Sequence, residues 1–141
     1  MKKSYKYLVL LSFLAMFLFQ GCVDELLDDP FADPVEKFLG NWRAEESSTV
    51  YGQGYVYTVV ISRNPQNSSE ILISNFYYQG VHEKARALVT GNTLTIMRQK
   101  ICDNTIEIQG SGTLSGGRIN LQYTADDGAD LDQVTAVYTK L

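Results

Sequence analysis

From Trp42 to Lys140 apolar and polar residues alternate with a period of two, and Gly, Asn and Asp interrupt the alternation at nearly regular spacing. No window in this stretch keeps a 3.6-residue period, so helices cannot form its core and the body reads as all-β. The candidate strands are residues 42–50, 54–63, 69–78, 84–90, 93–100, 104–114, 117–124 and 133–140. Between them stand Gly52-Gln53-Gly54, Gly91-Asn92, Gly116-Gly117 and Asp127-Gly128, residues that supply the positive φ of tight antiparallel hairpins. Leu94, Ile96, Ile108, Ile119, Leu121 and Tyr123 fall on one parity, and Thr93, Thr95, Gln109, Asn120 and Gln122 on the other. One face is dry and the other wet.

Eight meandering strands with one dry face remove their exposed edges by closing on themselves. The expected fold is an eight-stranded antiparallel up-and-down β-barrel, with a two-sheet sandwich as the alternative. Strands two and three are less regular, because Tyr55–Ile61 and Ile71–Ile73 are apolar on both parities. Their outer side calls for a cover, either a short helix at 34–39 or another protein.

The front of the chain has a different composition. Residues 1–22 read as a basic start (Lys2, Lys3, Lys6), an apolar run from Tyr7 to Phe19, and then Gln20-Gly21-Cys22. The run is too short for the ~20 residues that cross a bilayer, so it reads as an export signal and not as a permanent span. The Gly21-Cys22 junction resembles the lipobox of bacterial lipoproteins, whose Cys carries a diacylglycerol; the resemblance implies lipidation of Cys22. The domain plan is then a signal peptide at 1–21, a lipid-anchored tether at 22–36 and a barrel at 37–141. The tether holds six acids and no base up to Glu36, which keeps it solvated and extended. Its acidic run just after Cys22 resembles surface-export signals of Gram-negative lipoproteins. The implied location is the outer membrane, lipid-anchored, facing the periplasm or displayed at the cell surface.

Without residues 1–21 the 141-residue chain keeps nine basic against sixteen acidic groups, a balance that repels nucleic-acid phosphates. With Cys22 lipidated, Cys102 stands alone, so neither a disulfide framework nor a multi-cysteine zinc site is available.

Asp33-Pro34-Val35-Glu36 followed by Gly40 carries helix start and stop signals, and predicts one or two helical turns that plug one end of the barrel. Phe38-Leu39-Gly40-Asn41-Trp42, just before the first strand, resembles the opening motif of the lipocalins and the wider calycin group. In that group the Gly-x-Trp pair, here Gly40 and Trp42, sits where a short helix closes the barrel base and the Trp packs across it. The resemblance implies a calycin-like barrel with a ligand-carrying role. Where the group has an Arg on the last strand to stack on the Trp, this chain has Lys140.

Small residues at Ala85, Ala87, Gly110 and Gly112 share the inward parity with Tyr55, Tyr57, Tyr77 and Tyr123. They define a pocket lined by Tyr55, Tyr57, Ala85, Ala87, Gly110 and Tyr123 for a small apolar ligand, or else a solid core in which small residues offset large ones. The solid-core alternative makes the protein a binding or inhibitor module that meets a partner through the Tyr-rich loop 51–55 and the loop 64–69. His82-Glu83 lacks any accompanying nucleophile or metal-ligand motif. The run Asp126–Asp132 gathers four carboxylates without the spacing of a calcium loop. No catalytic set, metal site or cofactor is expected.

Overall fold

The computed structural model describes residues 32–141; the signal peptide, Cys22 and the tether up to residue 31 lie outside the described residues. The strands are β1 (Gly40–Ser48), β2 (Gly52–Asn64), β3 (Asn67–Ser74), β4 (Lys84–Thr90), β5 (Thr93–Ile101), β6 (Ile106–Ser115), β7 (Arg118–Asp126) and β8 (Leu131–Lys140). Each is antiparallel to the next, and β8 returns to pair with β1 from Trp42↔Lys140 to Ser48↔Val134. The domain is a closed, up-and-down antiparallel barrel, which excludes the sandwich.

Alternation decides which side chains face inward. Ile108, Leu121, Ile119 and Leu94 are almost wholly buried, whereas Gln109, Asn120 and Gln122 face water. A one-residue slip in any strand would exchange these two sets, so the pattern also fixes the register.

One end of the barrel is sealed. The expected helix at 34–39 is a shorter 3-10 turn, Glu36–Phe38, entered through Asp33, whose Oδ1 accepts the Val35 N–H at 2.9 Å. Val35 and Phe38 drop into the core, and the buried Trp42 donates its indole N–H to the Phe38 carbonyl at 2.8 Å. Lys140 Nζ lies 5.3 Å from the centre of the Trp42 ring, within cation–π range. The turn therefore plugs the base and does not cover the outer wall of β2, where Val56 and Val60 remain exposed.

The opposite end is looser. The third strand ends at Ser74, not at residue 78 as the sequence pattern predicted, because Asn75, Tyr77 and Tyr78 adopt left-handed φ of 61°, 55° and 56°. A left-handed backbone cannot continue a strand. The first half of β2 thus has no β3 partner, and the Asn75 amide caps its edge by donating to the Thr58 carbonyl at 2.9 Å. A second opening lies between β4 and β5, which share only the pairs Leu88↔Thr95, Val89↔Leu94 and Thr90↔Thr93. Beyond these pairs, the Gln99 side chain accepts the Arg86 N–H at 2.9 Å and donates to the Arg86 carbonyl at 2.7 Å. It stands in for the missing strand backbone.

Candidate functional site

The connections at the open end converge on a cleft of about 200 Å³. Its walls are Tyr51 and Tyr55 from the β1–β2 hairpin and Tyr77, Tyr78 and Gln79 from the left-handed turn, with Ser48 and Glu46 below. Two larger depressions lie on the outer barrel wall, over Gln53, Ser111, Gln122 and Thr135, and are broad and open.

Glu46 follows Trp42 and Ala44 on the inward parity of β1, so the strand itself carries a carboxyl into the barrel. It is 6% exposed. Its Oε1 accepts the Tyr123 hydroxyl at 3.0 Å and the Tyr138 hydroxyl at 3.5 Å. Burial pushes its pKa above the ordinary 4.5; the hydroxyls of Tyr57, Tyr123 and Tyr138 counteract this, and the charge of Asp132 adds to it. The same burial drives the three phenols far above their ordinary range, so they remain protonated donors. Tyr57, 8% exposed, neighbours Glu46 and packs its ring 5.2 Å from that of Tyr78. Its hydroxyl lies close enough to Glu46 to favour the ionised carboxyl but falls short of hydrogen-bonding geometry, the one fully buried side-chain nitrogen or oxygen so placed among the described residues. Such groups are rare in a folded chain, because burial without a partner costs a hydroxyl its hydration.

Asp132 holds the cleft walls in place. It is buried and accepts Ser48 Oγ at 2.6 Å, Tyr77 OH at 2.8 Å, Thr49 N–H at 2.9 Å, Thr49 Oγ1 at 3.0 Å and Val50 N–H at 3.2 Å. Burial alone would raise its pKa, but the bonds from Ser48, Tyr77, Val50 and Thr49 outweigh burial and hold the carboxyl below the usual range. A left-handed tyrosine costs of order 1 kcal/mol or more. Tyr77 is held in that conformation by its bond to Asp132 and by an edge-on contact with Tyr123, ring centres 6.0 Å apart.

Of the residues read from sequence as a lining, Tyr55 stands in the cleft wall, 42% exposed rather than enclosed, and donates its hydroxyl to the Tyr51 carbonyl. Tyr57 and Tyr123 lie around Glu46. Ala85 and Ala87 are buried deeper, opposite Ile73 and Ile71, away from the cleft. Gly110 is a contact point: a Cβ there would stand 2.3 Å from the Gln122 carbonyl oxygen and 2.4 Å from Tyr123 Cβ. Gly40 and Trp42 belong to the sealed base.

Sequence reading passed over Glu46 and Tyr78. The available signal for Glu46 was its parity, since an acid two residues beyond Ala44 and four beyond Trp42 points inward. Tyr78 carried no such signal, because it was assigned to a strand that ends four residues earlier.

The remaining polar candidates have local roles. Asp126 and Asp127 accept backbone N–H groups of their own turn, from Gly128, Ala129 and Asp130, whereas Asp132 turns toward Ser48. His82 is exposed in the β3–β4 connection. Cys102 is half-buried, and burial together with Glu83 and Asp103 pushes its thiol up and away from reactivity.

No family model matches the chain, and no curated protein does. Among solved structures, the crystal structure of zebrafish ileal bile acid-binding protein complexed with cholic acid is similar. It is 18% identical, the match covers 74% of this chain and 99% of that one, and the TM-score is 0.44. At that level the likeness speaks to the ligand of that protein and not to the ligand of this one.

Proposed function

We propose that the domain is a non-catalytic binding barrel that receives a small, largely apolar ligand at its open end, and that lipid on Cys22 holds the protein at the outer membrane, facing the periplasm or the cell surface. The observation that carries the binding reading is the cleft itself: four tyrosine rings over a buried carboxyl, at the end of the barrel opposite the 3-10 turn. Ligand sites are concave and mostly apolar, with a few polar groups that set orientation. This one is smaller than the ~300–1,000 Å³ of a drug-sized pocket, so it takes a ring or a compact head group and not a whole sterol.

The test is an NMR titration of the full chain in detergent with 2-phenylethanol, a neutral ring on a short tail. Saturable shifts confined to Tyr51, Tyr55, Tyr77 and Tyr78 are expected; shifts spread evenly over the surface would refute the site. For the anchor, growth with labelled palmitate should mark the wild type and leave Cys22→Ser unmarked.

A second reading, a protein-binding module, draws on Tyr51, Tyr78 and Val81, which are 58%, 65% and 63% exposed around the same mouth. Under that reading 2-phenylethanol binds nowhere, and Tyr51→Ala with Tyr78→Ala abolishes capture of the partner.

A further inference from the structure

Taking the open-end cleft as the binding site proposed above, we infer that its ligand is a small organic cation, an ammonium carried on or beside an apolar group, with the positive head directed at Glu46.

Charge inside the barrel is one-sided. The buried polar and charged residues are Glu46, Asn64, Glu70 and Asp132, so among the described residues no Lys, Arg or His is buried. Asn64 and Glu70 bond each other at 2.7 Å, in the β2–β3 hairpin near the sealed end, which leaves Glu46 and Asp132 as the buried charges of the mouth. A carboxylate ligand entering the cleft would meet Glu46 and, behind the wall, Asp132, with no cation to receive it. An isolated buried charge is strongly disfavoured unless it is paired. The ligand that suits this site carries the opposite sign.

The rim next to the cleft repeats the pattern. A second cleft of about 160 Å³ shares Tyr51, Tyr77 and Gln79 with the first and is walled by Asp127, Asp130 and Asp132. At the barrel's other end, Arg63 is engaged by Asp33 and Glu36, and Lys37 by Asn92. Acid at the mouth raises the local concentration of cations and turns anions away.

Two further observations point to an occupant. Glu46 uses Oε1 for both tyrosine donors, and no hydrogen bond reaches Oε2 from the described residues. The Tyr57 hydroxyl, buried beside that carboxyl, is unpartnered. An ammonium supplies donors to the free oxygen, and the ionised carboxylate that results is a stronger acceptor for the Tyr57 hydroxyl. Around the head group, Tyr51, Tyr55, Tyr77 and Tyr78 offer π faces, which attract ammonium and methylated ammonium groups. The groups facing Glu46 are Tyr57 from β2, Tyr123 from β7, and Tyr138 and Asp132 from β8; all four are neutral or negative at neutral pH.

Three probes of one shape separate charge from fit: 2-phenylethylamine, 2-phenylethanol and 3-phenylpropionate, titrated calorimetrically into the full chain in detergent at pH 7.5. The amine is expected to bind about tenfold or more tightly than the alcohol, as a charge-assisted bond implies, and the acid more weakly than either. Glu46→Gln is expected to bring the amine down to the affinity of the alcohol, and Tyr78→Ala to weaken the amine. Equal binding of amine and alcohol, or an unchanged preference in Glu46→Gln, overturns the cation assignment and leaves the cleft as a binding site. Failure of all three probes removes the binding site as well.

Discussion

Ser48 and Asp132 lie 84 residues apart in the chain and 2.6 Å apart in space. That bond, with the four others Asp132 accepts, fastens the β1–β2 turn to the first residues of β8 and to Tyr77. Asp132→Asn keeps the shape but replaces one acceptor oxygen with an amide, and should cost about 2–4 kcal/mol in urea unfolding at pH 7. Because the folded-state pKa is depressed, this stabilisation is present above the unfolded value near 3.8 and is lost as pH falls through the folded value. The gap between wild type and variant should therefore close at low pH.

Glu46 has the opposite sign. Its pKa is raised, so between the ordinary 4.5 and the folded value the native state holds more protons than the unfolded chain, and stability declines as pH rises through that window. Glu46→Gln should match the wild type below pH 4.5 and exceed it in melting temperature at pH 8. A wild type that gains stability over the same range would contradict the burial of this carboxyl.

Gly110→Ala should be the most damaging small substitution in β6, because the new methyl collides with the Gln122 backbone and not with a movable side-chain end. A loss of about 3 kcal/mol or more is expected. Gly112→Ala, whose nearest neighbour is Leu121 Cδ1 at 3.0 Å, should cost less. Denaturation midpoints of the two variants, compared directly, check this order.

Gln99→Ala should leave the barrel folded and open the β4–β5 seam. The Arg86 amide, protected by the Gln99 side chain, should exchange with solvent deuterium much faster, while the Leu94 amide in the paired part of the seam keeps its protection.

The barrel was legible in the sequence because alternation is a direct image of inside and outside: Leu94, Ile108 and Leu121 announced their burial by parity alone. The base was legible too, since Asp33, Gly40 and Trp42 each occupy a position that few other residues satisfy. The cleft was harder to read. It depends on Tyr77 and Tyr78 adopting a left-handed backbone that their side chains disfavour, and tertiary bonds to Asp132 and packing on Tyr57 and Tyr123 stabilise it. Local pattern does not encode such bonds, so the Phe76-Tyr77-Tyr78 run read as strand. Gly110 left two readings open for a related reason: a missing side chain marks either a vacancy or a close approach, and only the opposite strand decides which.

The pairing of β1 with β8 also bears on biosynthesis. Until β8 docks, β1 and β7 each present a row of unsatisfied N–H and C=O groups, the kind of edge that recruits other chains. The domain is thus most prone to aggregate while β8 is undocked, and trimming β8 should yield a sticky sheet in place of a smaller barrel.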